Sequence, residues 1–493
     1  MRVAFFHAYH PKREYQVSLP PLGLGYLMAY LKRHQAAADL VFCRTEAELL
    51  DSRADVVAIS SASENFGDAR RAARAVRDNT AAVIVGGGSH ISALPHTLPD
   101  GFDFGVLGEG EQTFLDLLAL LTHRPKPSPA DLAKIPGLCH HANGKIVLTS
   151  QRDAIEDLDT LPYPDREGLG RHWRVPYSRT VHMISSRGCP YRCTFCASAR
   201  LWKGFRSFSS QYVVGEIEHV RERYDPREIH FFDDLFIVNR KRLRDFCRLL
   251  EQRGLHRHLV FRSYARADLI DDEMADLMAR HNFRYVDFGI ESGCRAVLEY
   301  LGKHGVTPEQ NQRAIDLLTA RGISVGVSMI IGSPAETREQ MEETYAFLDR
   351  NRNKIDRMGV GLLMPLPGTP VWDAAARRRL VDDDMEWDRL GIDFETADVS
   401  RCPILSEQLD AAELAQVFRR FNHLEHLVNA RGEVRRLTEE NALLMRELET
   451  LRSELESLKG SRAVQAALKV RQLTQRLRGL NPSPGTRVEP WHP

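Results

Sequence analysis

The sequence predicts an α/β protein in two tandem parts, a parallel α/β layer and then a partial (β/α)6 barrel, with helices at the C-terminal end. Three observations carry this prediction. Short β-branched runs alternate with helix-period segments in two successive series, the pattern of parallel sheets covered by helices. A proline-punctuated stretch, LDTLPYPDRE at 158–167, separates the two series. Beyond residue 430 the apolar residues narrow to a heptad stripe.

Composition removes several function classes. A chain of 493 residues has room for two or three domains, and Lys+Arg and Asp+Glu balance at 67 each, so no net field favours nucleic acid or an anionic membrane. No apolar stretch approaches ~18 residues, and the N-terminus MRVAFFHAYHPK carries neither an apolar signal core nor a cleavage site. Eight cysteines, three of them clustered, do not form a disulfide framework, and the expected compartment is reducing cytoplasm.

In the first series, strands are expected at 2–6 (RVAFF), 38–42, 55–60 and 82–86, with a fifth before Gly108. Helix-period segments lie at Pro21 to Leu31, 66–78 and 111–122. In such layers ligands sit beyond the carboxyl ends of the strands. The unusual residues fall there: His7–His10, Ser18–Pro21, Ser60–Asn65, the run Gly86-Gly87-Gly88-Ser89-His90, and Gly108-Glu109-Gly110-Glu111. Glycine runs let a backbone approach a ligand closely, though a single run serves equally well as a turn.

The second series places strands at 180–185, 228–233, 259–265, 285–290, 323–331 and 358–364. Helices fill the gaps at 210–224, 239–252, 271–281, 307–321 and 336–351. Function is expected at the carboxyl ends of barrel strands. The loop after the first strand, SSRGCPYRCTFCAS, spaces Cys189, Cys193 and Cys196 as C-x3-C-x2-C. Three thiolates on one loop can hold three irons of a cubic [4Fe–4S] cluster. The next cysteine is Cys247, so the fourth iron stays open. The competing reading is half a zinc site, but no second C-x2-C exists to complete it. Other strand ends carry Asp233-Asp234, Gly289-Ile290-Glu291-Ser292, Ile330-Ile331-Gly332-Ser333-Pro334 and Pro365-Leu366-Pro367-Gly368-Thr369. Each alone could cap a helix or turn the chain. Arg262 and Arg266, near the end of the third strand, have the chemistry to clamp a carboxylate.

The cysteine motif, with aromatic Phe195 before its last Cys, resembles the signature of the radical S-adenosylmethionine (SAM) superfamily. The resemblance implies that the open iron binds the amino and carboxylate groups of SAM, and that the reduced cluster cleaves SAM to a 5′-deoxyadenosyl radical. It assigns SAM contacts to Gly289, Glu291 and Ser292 of the GIES-like segment, to Ile330 and Gly332 at the adenine, and to Phe195. FFDDLF stands where members often carry a GGE-like segment, and that role passes to Asp233 and Asp234.

PPLGLGYLMAYL, VGGGSHISALP and VLGEGEQTF resemble the Rossmann-like cobalamin-binding domain that precedes many radical SAM barrels, and PLPGT resembles cobalamin-dependent members. This implies cobalamin contacts at Gly86, Gly87, Gly88, His90, Gly108, Glu109, Gly110 and Glu111. The D-x-H-x-x-G motif is absent, so no lower cobalt ligand is assigned; His7, His10 and His90 are the candidates.

The expected domains are 1–140 (cobalamin-binding-like), 141–178 (linker), 179–390 (barrel), 391–430 (helical extension), 431–459 (coiled coil) and 460–493 (basic helix and disordered tail). In the heptads Val434, Asn441, Leu448 and Leu455 fall at a, and Leu437, Leu444, Leu451 and Leu458 at d. Glu447 and Glu454 at g would face Arg452 and Lys459 at e of a parallel partner, either a second copy or another protein. An amphipathic helix folded on the barrel is the alternative.

By family analogy the expected function is cobalamin-dependent radical SAM methylation of an unactivated carbon in a small-molecule or peptide acceptor, with an external electron donor. Cyclisation, rearrangement or oxidation on the same scaffold is one alternative. A non-catalytic coiled-coil assembly partner with a degenerate site is another.

Overall fold

The computed structural model describes residues 1–9, 19–35, 39–170, 179–391 and 398–460. Its first sheet is built around β1 (Arg2–His7), in which Val3, Ala4 and Phe5 are fully buried. β1 pairs in parallel with β2 (Asp39–Cys43) on one side and β3 (Val56–Ser60) on the other; β4 (Val83–Gly87) and β5 (Phe104–Val106) follow in parallel. Near-continuous apolar runs such as VVAIS and VIVGG suit strands buried on both faces.

The sheet continues past the expected boundary at residue 140. β6 (Leu138–Ala142) adds antiparallel to β5, and β7 (Lys145–Leu148) to β6. Asn143 and Gly144 turn this hairpin with φ of 52° and 72°. Positive φ at both positions is the type I′ requirement that Asn-Gly satisfies. This hairpin occupies the start of the stretch 141–178 expected as linker, and the strand it joins is set by tertiary pairing.

The barrel sheet begins with β8 (Thr180–Met183). After it come a short antiparallel hairpin, β9 (Ser186–Arg187) and β10 (Arg206–Ser207), and then β11 (Glu228–Phe231), β12 (Val260–Ala265), β13 (Phe283–Glu291), β14 (Ser324–Ile331) and β15 (Ile355–Leu362). Six parallel strands run in the order β15-β14-β13-β12-β11-β8, an open barrel as expected. The helices between them start at local signals. Thr307 and Thr337 make capping boxes with Gln310 and Gln340, and Pro308 occupies the first turn of its helix.

Described residues between the sheets pack on both cores. Leu158 and Leu161 join the barrel core beside Tyr26, and Leu169 joins the core of the first sheet. Arg166 and Glu216 form a buried ion pair at 2.7 Å. A further apolar cluster runs from Phe66 and Ile91 through Val297 and Leu301 to Trp372 and Trp387, so the two sheets share a core. Residues 1–429 accordingly form one unit, and the chain from Ala430 onward forms another.

β15 leaves an open edge, which side chains cover. Asn429 pairs with both backbone groups of Met358 (N–H to Oδ1 2.7 Å, Nδ2 to the carbonyl 2.9 Å), and Glu425 Oε2 accepts from the Val360 N–H at 3.1 Å. Both belong to the helix Ala411–Gly460. Such cover satisfies the strand's donors and blocks further strand addition. Among the described residues of the extension expected to be helical from 391, the long helix starts at Ala411. Asp410 and Glu413 cap that start reciprocally, and Pro403 interrupts the segment before it.

From Ala430 the helix continues unbroken to Gly460, with Val434, Leu437, Leu444, Leu448, Leu451 and Leu455 exposed. The expected basic helix 462–478 and the tail lie outside the described residues, as do His10 and Ser18. No helix among the described residues is long and apolar enough to cross a membrane.

Burial pushes the Glu425 carboxyl up to about 7, against the pull of the Val360 N–H. A raised folded-state pKa stabilises the fold fully below the unfolded value of 4.5 and is lost as pH rises through about 7. Glu425→Gln should therefore lose less stability than the native chain between pH 5 and pH 8 in thermal unfolding. Equal losses would assign the titration to other groups.

Candidate functional site

The site begins with how the cysteine loop is held. Both carboxylate oxygens of buried Asp233 are taken up by the start of the loop: Oδ1 accepts from the N–H groups of Ser185 (2.6 Å) and Ser186 (3.0 Å), and Oδ2 from the Ser185 hydroxyl. Burial raises the Asp233 pKa, and these donors and Arg242 oppose the shift. Gly188 has φ +82°, and a Cβ there would meet the Gly204 carbonyl at 2.4 Å, so only glycine fits. Further on, the Thr194 N–H donates to the Leu301 carbonyl at 2.9 Å, and the Ser198 hydroxyl to Asp234 at 2.6 Å.

Cys189, Cys193 and Cys196 are free, half-buried thiols on this anchored loop, near enough to influence one another's ionisation. Burial raises all three, Cys196 to about 11. Metal coordination reverses this, because a bound cation deprotonates its thiol ligands. Among the described residues no three His, Cys, Asp or Glu side chains converge on the position of a single metal ion. A cubic cluster needs no such point, since each thiolate binds a different iron.

Two buried cations flank the loop. Lys303 Nζ donates to the Gly289 carbonyl at 2.5 Å and to Glu291 Oε1 at 2.7 Å. Arg266 lies 3.8 Å over the Tyr191 ring. Both charges reach Cys193. Neither residue carries a motif, and only tertiary folding brings them here. Arg266 Nε and Nη2 donate to Asp268 and to the His304 carbonyl, so its carboxylate partner is Asp268 on its own turn. Glu291 is held at φ +61°, a strained conformation of the kind that collects at functional positions.

At the carboxyl ends of β1, β3, β4 and β5 lies a cavity of about 310 Å³. His7, the three glycines Gly86, Gly87 and Gly88, and Gly108, Glu109, Gly110 and Glu111 all line it. A Cβ at Gly88 (φ +96°) would meet the Ser61 carbonyl at 2.4 Å, whereas Gly23 and Gly108 face open space. Such bare backbone admits a flat ligand closely, so the cavity fits a corrinoid-type cofactor.

Its far wall comes from the cysteine loop itself: Arg187, two residues before Cys189, and Leu201 and Trp202 beyond Cys196. Arg187 bonds Glu109 at 2.7 Å and Glu111 at 2.6 Å, and all three are buried. Arg206 shares Glu109 at 2.9 Å. Burial pushes the Glu109 carboxyl up, but the two guanidiniums bring it below the ordinary value. The rings of Tyr26 and Trp202 each sit 5.7 Å from the Arg187 guanidinium carbon.

The structure places four of the expected contacts, His90, Ser292, Asp233 and Gly332, in buried positions occupied by protein partners. His90 is fully buried outside the cavity, stacked 3.7 Å from Phe66 and edge-on to Trp387, with both ring nitrogens bonded to Ser63 and Thr97. Burial lowers its pKa to about 3. Its neighbour Ser89 lines the cavity because Ser89–Ala93 is a short helix, on which adjacent side chains point about 100° apart. Ser292 is also fully buried, bonded to Thr344 at 2.9 Å. Asp233 anchors the loop instead of facing a ligand. Gly332, too, is enclosed, its N–H donating to Glu336 at 2.8 Å. Phe195 and Ile330 are half-buried against the shared core. Of the candidate histidines, His7 lines the cavity; its buried Nδ1 has no hydrogen-bond partner, and burial lowers its pKa to about 4.

Residues 183–348 match the radical SAM superfamily model and residues 12–118 the B12 binding domain model. A Pyrococcus horikoshii methyltransferase, itself named as uncharacterized, is 31% identical over 75% of this chain and 81% of its own length. The anaerobic magnesium-protoporphyrin IX monomethyl ester cyclase of Rubrivivax gelatinosus is 29% identical over 70% of this chain, which spans 65% of that protein. The radical SAM methyltransferase TsrM from Kitasatospora setae, solved with cobalamin and a [4Fe-4S] cluster, shares the fold at TM-score 0.63 and 21% identity, over 76% of this chain and 75% of that one.

Glu111→Ala would leave Arg187 buried with half its countercharge, so a loss of roughly 3–5 kcal/mol in denaturant unfolding is expected. Gly88→Ala should cost roughly 1–3 kcal/mol, measured the same way.

Proposed function

The chain belongs to the cobalamin-dependent radical SAM methyltransferase family, and from that membership we propose that it methylates an unactivated carbon of a small-molecule or peptide acceptor. Its cofactors are a [4Fe-4S] cluster, SAM and cobalamin. Bound together, these groups would supply radical chemistry at the acceptor carbon and the methyl group that it receives.

The protein's task is to hold these groups in line and keep water out. Cys189, Cys193 and Cys196 hold the cluster. Glu291, with Gly289 on the same strand and Asp234 beyond the end of β11, would take the SAM side. Gly86, Gly87, Gly88 and Gly108 receive the corrinoid on bare backbone. The observation that carries this reading is the shared wall: Arg187 and Trp202, which bracket the cysteines in sequence, also line the cavity of the first sheet. One loop thus serves both cofactor sites. Eight free thiols support a reducing, cytoplasmic setting.

The cyclase relative favours a second reading, in which the same radical oxidises or cyclises its acceptor. Bound corrinoid and labelled methyl transfer from SAM separate the two. Protein purified without oxygen from a cobalamin-supplied host should hold about one corrinoid per chain and methylate its acceptor. Corrinoid-free protein that still cleaves SAM would favour the second reading. Cys193→Ala should abolish SAM cleavage and lower bound iron; normal cleavage would sink both.

We also propose that 431–459 pairs in parallel with a second copy. The exposed a and d residues Val434, Leu444, Leu448, Leu451 and Leu455 support it, as does Asn441 at a, which favours in-register two-stranded pairing. Leu444→Lys should convert a dimer to a monomer in sedimentation equilibrium; a native chain already monomeric at tens of micromolar would exclude the pairing.

A further inference from the structure

Arg266 stands out among the groups that the proposed reaction leaves without a role. It closes β12's exit and is 4% exposed, so its charge is almost wholly desolvated. Its guanidinium carbon lies over the Tyr191 ring, 3.8 Å from the centroid, and Tyr191 sits between Cys189 and Cys193. Nε donates to Asp268 at 2.8 Å, and Nη2 to the carbonyl of His304. The turn carrying His304 follows Leu301, which receives the Thr194 N–H of the same loop. One planar cation therefore ties three elements together: the barrel strand, the cysteine loop and the 301–305 turn.

We propose that Arg266 is a positioning residue for the cysteine loop and that its buried positive charge eases one-electron reduction of the cluster held there. The proposal rests on the cluster reading of the loop. Reduction brings in one electron from an external one-electron donor and makes the cluster one unit more negative. A fixed cation beside it in a poorly screened interior stabilises the reduced form over the oxidised one. The charge also reaches the Cys189 and Cys193 thiols. Asp268, paired with Arg266 and near enough to act on Tyr191, offsets part of the effect, which gives the proposal two opposite signs to test. Lysine could keep the charge but could not cover the Tyr191 ring while donating in two fixed directions.

The test uses the full chain, loaded with cluster and purified without oxygen. Samples are poised at one fixed potential with dithionite and a viologen mediator. Iron per chain is assayed, and the reduced cluster is counted by electron paramagnetic resonance. Arg266→Gln is expected to lower the reduced-to-oxidised ratio about tenfold. Arg266→Lys should recover most of that ratio but show a broadened signal, because the loop is no longer held in one position. Asp268→Asn should raise the ratio. An anchor without an electrostatic role would move iron content and leave the ratio unchanged.

A Gln variant with full iron and a native ratio would overturn the proposal. If the Gln variant takes up no iron, Asp268→Asn decides, and an unchanged or lower ratio there overturns it. A native chain that binds no iron would instead overturn the cluster reading, an outcome distinct from both.

Discussion

The structure depends on the buried guanidinium of Arg187. Two carboxylates from the first sheet's GEGE turn meet it from one side, and the rings of Tyr26 and Trp202 enclose it. Removing three charges from water is expensive, and a well-packed apolar cluster could match the stability. An apolar cluster would not set direction. A forked cation with two carboxylates has one good geometry, and that geometry sets the cysteine loop against the cavity. Because Arg187 stands two residues before Cys189, any slip between the sheets would move the thiols and open the cavity together.

The loop is held at independent points, each satisfying a different kind of group. Asp233 takes the first two N–H groups, Asp234 the Ser198 hydroxyl, the Leu301 carbonyl the Thr194 N–H, and Arg266 the Tyr191 ring. Gly188 allows the close approach to Gly204. Half-buried thiols that ionise reluctantly would otherwise prefer to pack as small apolar groups. Anchoring through neighbours leaves the thiols themselves available, which is the supporting shell that a preorganised metal site needs. The strain at Glu291 and its buried Lys303 partner belong to the same arrangement.

The second sheet and the helices of its βα units were legible almost throughout, because period-2 and period-3.6 patterns are local and caps such as Thr307 and Thr337 mark their starts. The hairpin at Asn143-Gly144 fell inside the expected linker, because its place at the edge of the first sheet comes from tertiary pairing with β5. Among the site residues, Gly86, Gly87, Gly88, Gly108, Glu109, Gly110 and Glu111 do line one cavity. His90 and Ser292 stand beside residues of that kind in the chain yet face the core. A shift of one residue at a turn sends a side chain to the opposite side, and no spacing rule resolves it.

By itself, the sequence determined the elements, the three-cysteine motif and the glycine runs, since each is set by chemistry within a few neighbouring residues. Only the tertiary structure decided which charges meet: Arg187 with Glu109 and Glu111, Lys303 with Glu291, Arg266 with Tyr191. These partners stand up to 78 residues apart in the chain. Nothing in their local sequence marks them, because a buried charge takes its partner from the fold that surrounds it.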